Sequence, residues 1–254
     1  MSVGRVFAVA VAAALPLATA SCDSDNSGSD KSTLTVLAAS SLTEAFTTLE
    51  AQYESEHPDI NVVFSFDSSA TLAEQVIQGA PADVLATADE DTMKTVTDAG
   101  YGADTPQIFA TNTMVIVTPP DNPAGVTDVS DLASPDVKLA LCDETAPCGA
   151  TAKELLALDH VNATPVSFEP DVKSVLTKVT LGEVDAGIVY ASDAKTAGQD
   201  VSTVQITNAD RVVNRYPIAV LKDAPQPTAA QDWVDLVRSS AGEKVFVTDG
   251  FGPP

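Results

Sequence analysis

Short apolar, β-branched runs alternate along this chain with stretches of helical period, and that alternation limits it to one broad fold class. Residues 34–38 read as a strand, after which Leu42, Ala45, Phe46, Leu49 and Tyr53 recur at helical spacing. The pattern continues with strand 61–66, helix 72–78, strand 83–87 and helix 90–99. Strand 114–118 follows and is closed by the turn-rich Pro119-Pro120-Asp121-Asn122-Pro123. Beyond it lie strand 137–142, helices 150–158 and 172–181, strands 186–190, 201–206 and 216–221, and helix 229–239. Successive strand–helix units predict an α/β fold with a mostly parallel sheet covered on both faces. The second half carries its own set of units, as two lobes would.

The first residues predict export. Arg5 precedes an apolar run that leads into Leu17-Ala18-Thr19-Ala20-Ser21-Cys22, the layout of a secretion signal. Pro16 interrupts the run, which falls short of the roughly 20 apolar residues a membrane span needs. The small residues before Cys22 are similar to a bacterial lipobox, with Thr19 where leucine is usual, so Cys22 is the expected lipidation site. Residues 23–32, rich in Asp, Ser, Asn and Gly, read as a flexible tether. The expected division is a signal over 1–21, an anchor and tether over 22–32 and a domain over 33–254, held at the outer face of the cytoplasmic membrane. In that compartment the two remaining thiols, Cys142 and Cys148, are expected to pair. A zinc site would need four ligands, and His57 and His160 have no ligand-like spacing to the cysteines or to each other, so no metal is expected. Both histidines lie in polar, turn-like contexts and read as solvated.

Charge and missing motifs narrow the function. The formal charge is −23, and residues 1–21 hold Arg5 and no acid, so the part from Cys22 onward carries −24. Such a surface repels nucleic acid, and any anionic ligand has to be held by local dipoles against the overall field. There is no H-E-x-x-H, G-x-S-x-G, Walker loop or G-x-G-x-x-G, so no catalysis is expected. What recurs is a strand that ends in small or hydroxyl residues as a helix starts: Ala38-Ala39-Ser40-Ser41-Leu42-Thr43-Glu44, and Asp67-Ser68-Ser69-Ala70-Thr71-Leu72. Ser41 with Glu44 fits a capping box and needs no ligand. Two facing helix starts also offer unpaired N–H groups, hydroxyl donors and partial positive charge, which suits an anion. Open α/β sheets place ligands at the carboxyl ends of strands, where both segments lie.

Four segments in order, Ala39-Ser40-Ser41-Leu42-Thr43-Glu44-Ala45, Ser68-Ser69-Ala70-Thr71-Leu72, Gly79-Ala80-Pro81-Ala82-Asp83-Val84 and Gly187-Ile188-Val189-Tyr190-Ala191-Ser192-Asp193-Ala194, resemble the molybdate-binding proteins of ABC importers, the ModA family. The resemblance runs from about Leu34 to Phe251. It implies a type II periplasmic-binding-protein fold, with one lobe over about 33–112 and 216–254, the other over about 113–215, and a ligand cleft between them. It implies no enzyme and no cofactor, a molybdate or tungstate ligand, an ABC permease as partner, and a monomer. Carried over by position, Ser41 and Ser69 donate from the first lobe through hydroxyls and helix-start amides. Cys148 and Val172 donate from the second through their backbones, and Tyr190 through its phenol. Read on the residues alone, Tyr190 closes an apolar strand and is a core aromatic, as Trp233 is on its helix. The cysteine pair departs from many family members and leaves the choice of anion open, with sulfate or another oxyanion as the alternative. Ferric iron would need several ligating tyrosines and carboxylates. An extracellular hydrolase lacks its nucleophile, and an adhesion lipoprotein would not need the cleft motifs.

Overall fold

The computed structural model describes Met1 and residues 31–254. The signal, the lipidation site at Cys22 and nearly all of the tether lie outside the described residues. Among those described, no helix is long and apolar enough to cross a membrane, and no group of three or more His, Cys, Asp or Glu could hold a metal ion.

Two five-stranded sheets organise residues 31–254. The first has the order β2-β1-β3-β10-β4, built from β1 (Ser32–Ala39), β2 (Ile60–Asp67), β3 (Val84–Ala86), β4 (Gln107–Asn112) and β10 (Asn214–Val220). The second has the order β7-β6-β8-β5-β9, built from β5 (Met114–Thr118), β6 (Leu139–Cys142), β7 (Ser167–Glu169), β8 (Ala186–Tyr190) and β9 (Ser202–Gln205). Helices α1 (Thr43–Glu56), α2 (Ser69–Ile77), α3 (Glu90–Asp98), α4 (Pro147–Leu158), α5 (Val172–Thr180), α6 (Ala191–Ala197), α7 (Pro227–Val237) and α8 (Ser240–Asp249) flank them. The chain passes from the first sheet to the second between β4 and β5 and returns between β9 and β10.

The sheets are mixed, which corrects the expectation of a mostly parallel one. β1 runs parallel to β2 and β3, and β6 to β7 and β8. β10 is antiparallel to β3 and β4, and β5 is antiparallel to β8 and β9. Strands joined through a packed helix are forced parallel by the crossover. β5 and β10 enter their sheets by crossing from the other one, so that constraint does not act on them.

Strand alternation fills both faces of the first sheet. Leu34, Val36 and Ala38 of β1, Val84 and Ala86 of β3, and Ile218 and Val220 of β10 face one apolar cluster, while Leu37, Leu85 and Ala219 face the other with Leu72, Val76, Met93 and Val96. Trp233 is fully buried on the first side, edge-on to Phe46 and Tyr53 with ring centroids 5.5 Å from each. Asp83 is buried behind the sheet and takes backbone N–H groups from Thr35 at 2.8 Å and Gln226 at 2.6 Å, which ties the start of α7 to β1. His57 is half-buried, its ring stacked on Tyr53 at 4.3 Å, so it is less solvated than its polar context predicts; His160 is exposed.

Candidate functional site

Where the carboxyl ends of β1, β2 and β8 meet the starts of four helical segments, a small cavity opens between the sheets. Its wall includes Ser41, Ser69, Cys148, Val172 and Tyr190, together with Ser40, Ser68, Asp67 and Asp171. All five positions singled out in the sequence therefore converge on one space. Its atom-free volume is about 200 Å³, mouth included. A space this confined suits a small ion rather than a drug-sized ligand. Among the described residues no Lys or Arg lines it.

The local sequence explains why donors point into the space. Helix α2 starts at Ser69 with no side-chain cap, and the first helical bond is the one from Leu72 N–H to Ser68 C=O, which leaves the earlier N–H groups free of helical partners. In α4, Pro147 contributes no N–H and Gly149 and Ala150 bond to Ala146 C=O, so Cys148 N–H is left without a partner among the described residues. In α5 the Asp171 carboxylate takes the N–H groups of Lys173 and Ser174 at 2.8 and 3.1 Å, and Val175 bonds to Asp171 C=O. Val172 N–H is the one left over. Asp171 also takes the Ser174 hydroxyl at 2.7 Å, and Asp67 takes Ser68 N–H, so both carboxylates serve helix starts.

The serine hydroxyls are oriented from behind. Ser69 Oγ accepts from Ala88 N–H at 2.9 Å, and because that partner can only donate, the Ser69 proton is free to point into the cavity. Ser41 Oγ lies 3.0 Å from Tyr216 Oη. The expected capping box of Ser41 with Glu44 does not form: a short 3-10 turn, Ser40–Leu42, precedes α1, whose N-cap is Leu42 without a side-chain bond. The intervening turn moves Ser41 out of capping position, and Glu44 instead binds Lys173 Nζ at 2.8 Å.

Tyr190 is buried at the end of β8, and its Oη has no hydrogen-bond partner among the described residues; the Tyr216 ring lies edge-on beside it with centroids 5.9 Å apart. Burial pushes the Tyr190 phenol well above its usual pKa, so it stays a neutral donor. An unpaired buried hydroxyl costs about 1–3 kcal/mol, which a ligand oxygen at this position would recover.

Cys142 and Cys148 form a disulfide behind the α4 donor turn. Gly149 follows it, and a Cβ there would lie 2.0 Å from Asp143 C=O, so only glycine lets the bridged loop fold this tightly against the helix start.

Residues 34–252 match the model of the bacterial extracellular solute-binding proteins. The chain belongs to that family. Its similarity to the molybdate-binding protein ModA of Mycobacterium tuberculosis is 39% identity over all of this chain and 98% of that one. The putative ABC transporter substrate-binding lipoprotein YvgL of Bacillus subtilis is 35% identical over 92% of this chain and 93% of its own length. Among solved structures, the periplasmic molybdate-binding protein of Azotobacter vinelandii superposes with a TM-score of 0.74 over 87% of this chain and 99% of that one, at 18% identity. The family's members are solute-binding proteins rather than enzymes, and the fold is the two-lobed α/β fold of the periplasmic binding proteins.

Asn112, Asn214 and Tyr216 stand behind the cavity and were not singled out in the sequence. The available signal was the placement of asparagine, a residue depleted in strands, at the ends of two of them.

Proposed function

We propose that this family member captures molybdate outside the cytoplasmic membrane and delivers it to an ABC transporter permease. The observation that carries the reading is the buried Tyr190 Oη, unpartnered among the described residues, in a cavity whose wall also holds helix-start N–H groups, the Ser69 hydroxyl free to donate, and the Asp67 and Asp171 carboxylates engaged by helix starts. Ser41, Ser69 and Tyr190 donate through hydroxyls, and Cys148 and Val172 through backbone N–H groups. Such a set neutralises a dianion without a cation. The 39% identity to a protein named for molybdate binding supports the choice of anion. Lobe closure, with one lobe over about 33–112 and 216–254 and the other over about 113–215, would be the signal read by the permease. Tungstate, which has the same shape and charge, is a second ligand. Lipidation at Cys22 of a monomeric protein supplies the anchor, and Cys22→Ser should release it into the soluble fraction.

Calorimetric titration near neutral pH tests the assignment. A site whose two lining carboxylates already serve helix starts and whose remaining groups donate suits a fully deprotonated dianion, whereas phosphate carries a proton that needs an acceptor. Molybdate and tungstate should bind tightly, sulfate well below them because its shorter bonds leave donors unpaired, and phosphate undetectably by direct titration, its weak binding read only by competition at high concentration. Sulfate binding as tightly as molybdate would reassign the ligand, and no binding by any of the four would overturn the reading.

A further inference from the structure

Behind the cavity, two asparagines occupy the points where the chain crosses between sheets. Asn112 ends β4 and Asn214 begins β10; they are register partners, and both are buried. The Asn112 amide is oriented by Thr113 N–H, which donates to Oδ1 at 3.1 Å, so Nδ2 faces inward. From there it donates to Ser192 Oγ of α6 at 2.8 Å and reaches Tyr216 Oη at 3.5 Å. Asn214 receives Thr151 Oγ1 of α4 at 2.8 Å on Oδ1 and donates through Nδ2 to Ala88 C=O at 2.9 Å. Each asparagine thus joins a helix of the second sheet to a residue that touches one of the cavity serines.

The geometry points to Asn112 and Asn214 as positioning residues that keep Ser41 and Ser69 facing the cavity as donors, and so set the discrimination between deprotonated and protonated oxyanions. The inference rests on the anion-capture reading above. An amide NH₂ can only donate, so Tyr216 Oη accepts from Asn112 at 3.5 Å, which favours the Tyr216 proton pointing to Ser41 Oγ at 3.0 Å. The Ser41 proton is then free for the ligand. On the other side, Asn214 holds Ala88 in place, and Ala88 N–H occupies the acceptor side of Ser69 Oγ. Without these partners either hydroxyl can turn and accept. A protonated anion such as hydrogen phosphate would then find an added acceptor on either serine.

Sulfate and hydrogen phosphate are close in size and differ in that proton, so the ratio of their affinities reads donor direction separately from fit. Calorimetry and competition against molybdate should be run on full-length wild type, Asn112→Ala, Asn214→Ala and the milder Tyr216→Phe and Thr151→Val, which remove one hydroxyl each and keep the side-chain bulk. In the variants that melt cooperatively, molybdate affinity should fall roughly ten-fold and the sulfate-to-phosphate ratio should narrow by a similar factor. A ratio unchanged from wild type in cooperatively melting Tyr216→Phe and Thr151→Val, whether or not affinity falls, would overturn the inference and leave the asparagines as structural. Wild type that bound no oxyanion would overturn the functional reading and this inference with it.

Discussion

Asn112 and Asn214 face each other across the β4–β10 pair, one at each place where the chain changes sheets. Their side chains diverge from that shared position, Asn112 towards Ser192 and Tyr216, Asn214 towards Thr151 and Ala88. The two crossovers are therefore wired to both walls of the cavity by buried hydrogen bonds, which are stronger in this setting than in water.

Ser69→Ala and Tyr190→Phe should each weaken oxyanion binding by about 1.5–3 kcal/mol, the range for hydrogen bonds to charged groups. Tyr190→Phe removes a hydroxyl that has no partner in the structure, so its melting temperature should be unchanged or raised. Titration and thermal melts of the two variants check this. Full affinity in both would leave Ser69 as a helix-start residue and Tyr190 as a core aromatic.

Lys173 follows the Val172 donor on α5 and pairs with Glu44 of α1 at 2.8 Å, joining segments that flank the two different sheets, while contacting the buried Asp193 of α6 at 3.0 Å. Burial works against the Lys173 charge, but Asp193 and Glu44 outweigh it and raise its pKa. The Glu44 side chain is 43% exposed, so this arm contributes only about 0.2–1 kcal/mol. Glu44→Gln should therefore speed ligand release by a few-fold, and the difference from wild type should shrink at high salt. Stopped-flow dissociation at two ionic strengths reads both effects. Release rates equal to wild type at low salt would remove Glu44 from closure.

Burial raises the Asp193 carboxyl to about 6, against the opposing pull of Lys173. Its folded-state pKa lies above the ordinary value of 3.8, so folding takes up a proton between those two values. The resulting stability is fully present below about pH 4 and is lost as pH rises through about 6. Two units correspond to about 3 kcal/mol. Asp193→Asn should flatten this part of the pH profile, measured as urea midpoints from about pH 4 to about pH 7. A variant whose profile parallels wild type over that window would show that Asp193 does not titrate there.

The Cys142–Cys148 disulfide closes a loop of sequence separation 6. A loop this short restricts the unfolded chain by about 2 kcal/mol. Reduction should lower stability by that order and also weaken anion binding, because Cys148 N–H is one of the cavity donors. Thiol labelling with intact-mass measurement should find neither cysteine reactive before reduction. Unchanged affinity after reduction would show that the α4 donor turn holds its shape without the bridge.

Local pattern was enough to place most of the elements. The predicted strand over 34–38 became β1, and the helical spacing from Leu42 to Tyr53 became α1, because propensity and burial agree there. The elements that pattern passed over are β4, β7, α6 and α8. β7 has three residues and α6 has seven, too few for a period to show, and β4 reads Gln-Ile-Phe-Ala-Thr-Asn without clear alternation. α8 is held by its Ser239 cap and by Phe246 rather than by an apolar stripe.

The helix starts at Ser69, Pro147-Cys148 and Asp171-Val172, and the hydroxyl-bearing strand ends, are local features, and the sequence by itself determined them and the chemistry they offer. That they face one cavity depended on the crossing of the chain between the sheets, which brings residues from Ala39 to Tyr190 into a single wall. The direction of β5 and β10, the diversion of Glu44 from a cap to Lys173, and the pairing of Asn112 with Asn214 were decided only by tertiary structure. Each is a contact between segments distant in the chain, and local period and propensity carry no record of which distant partner a side chain will meet.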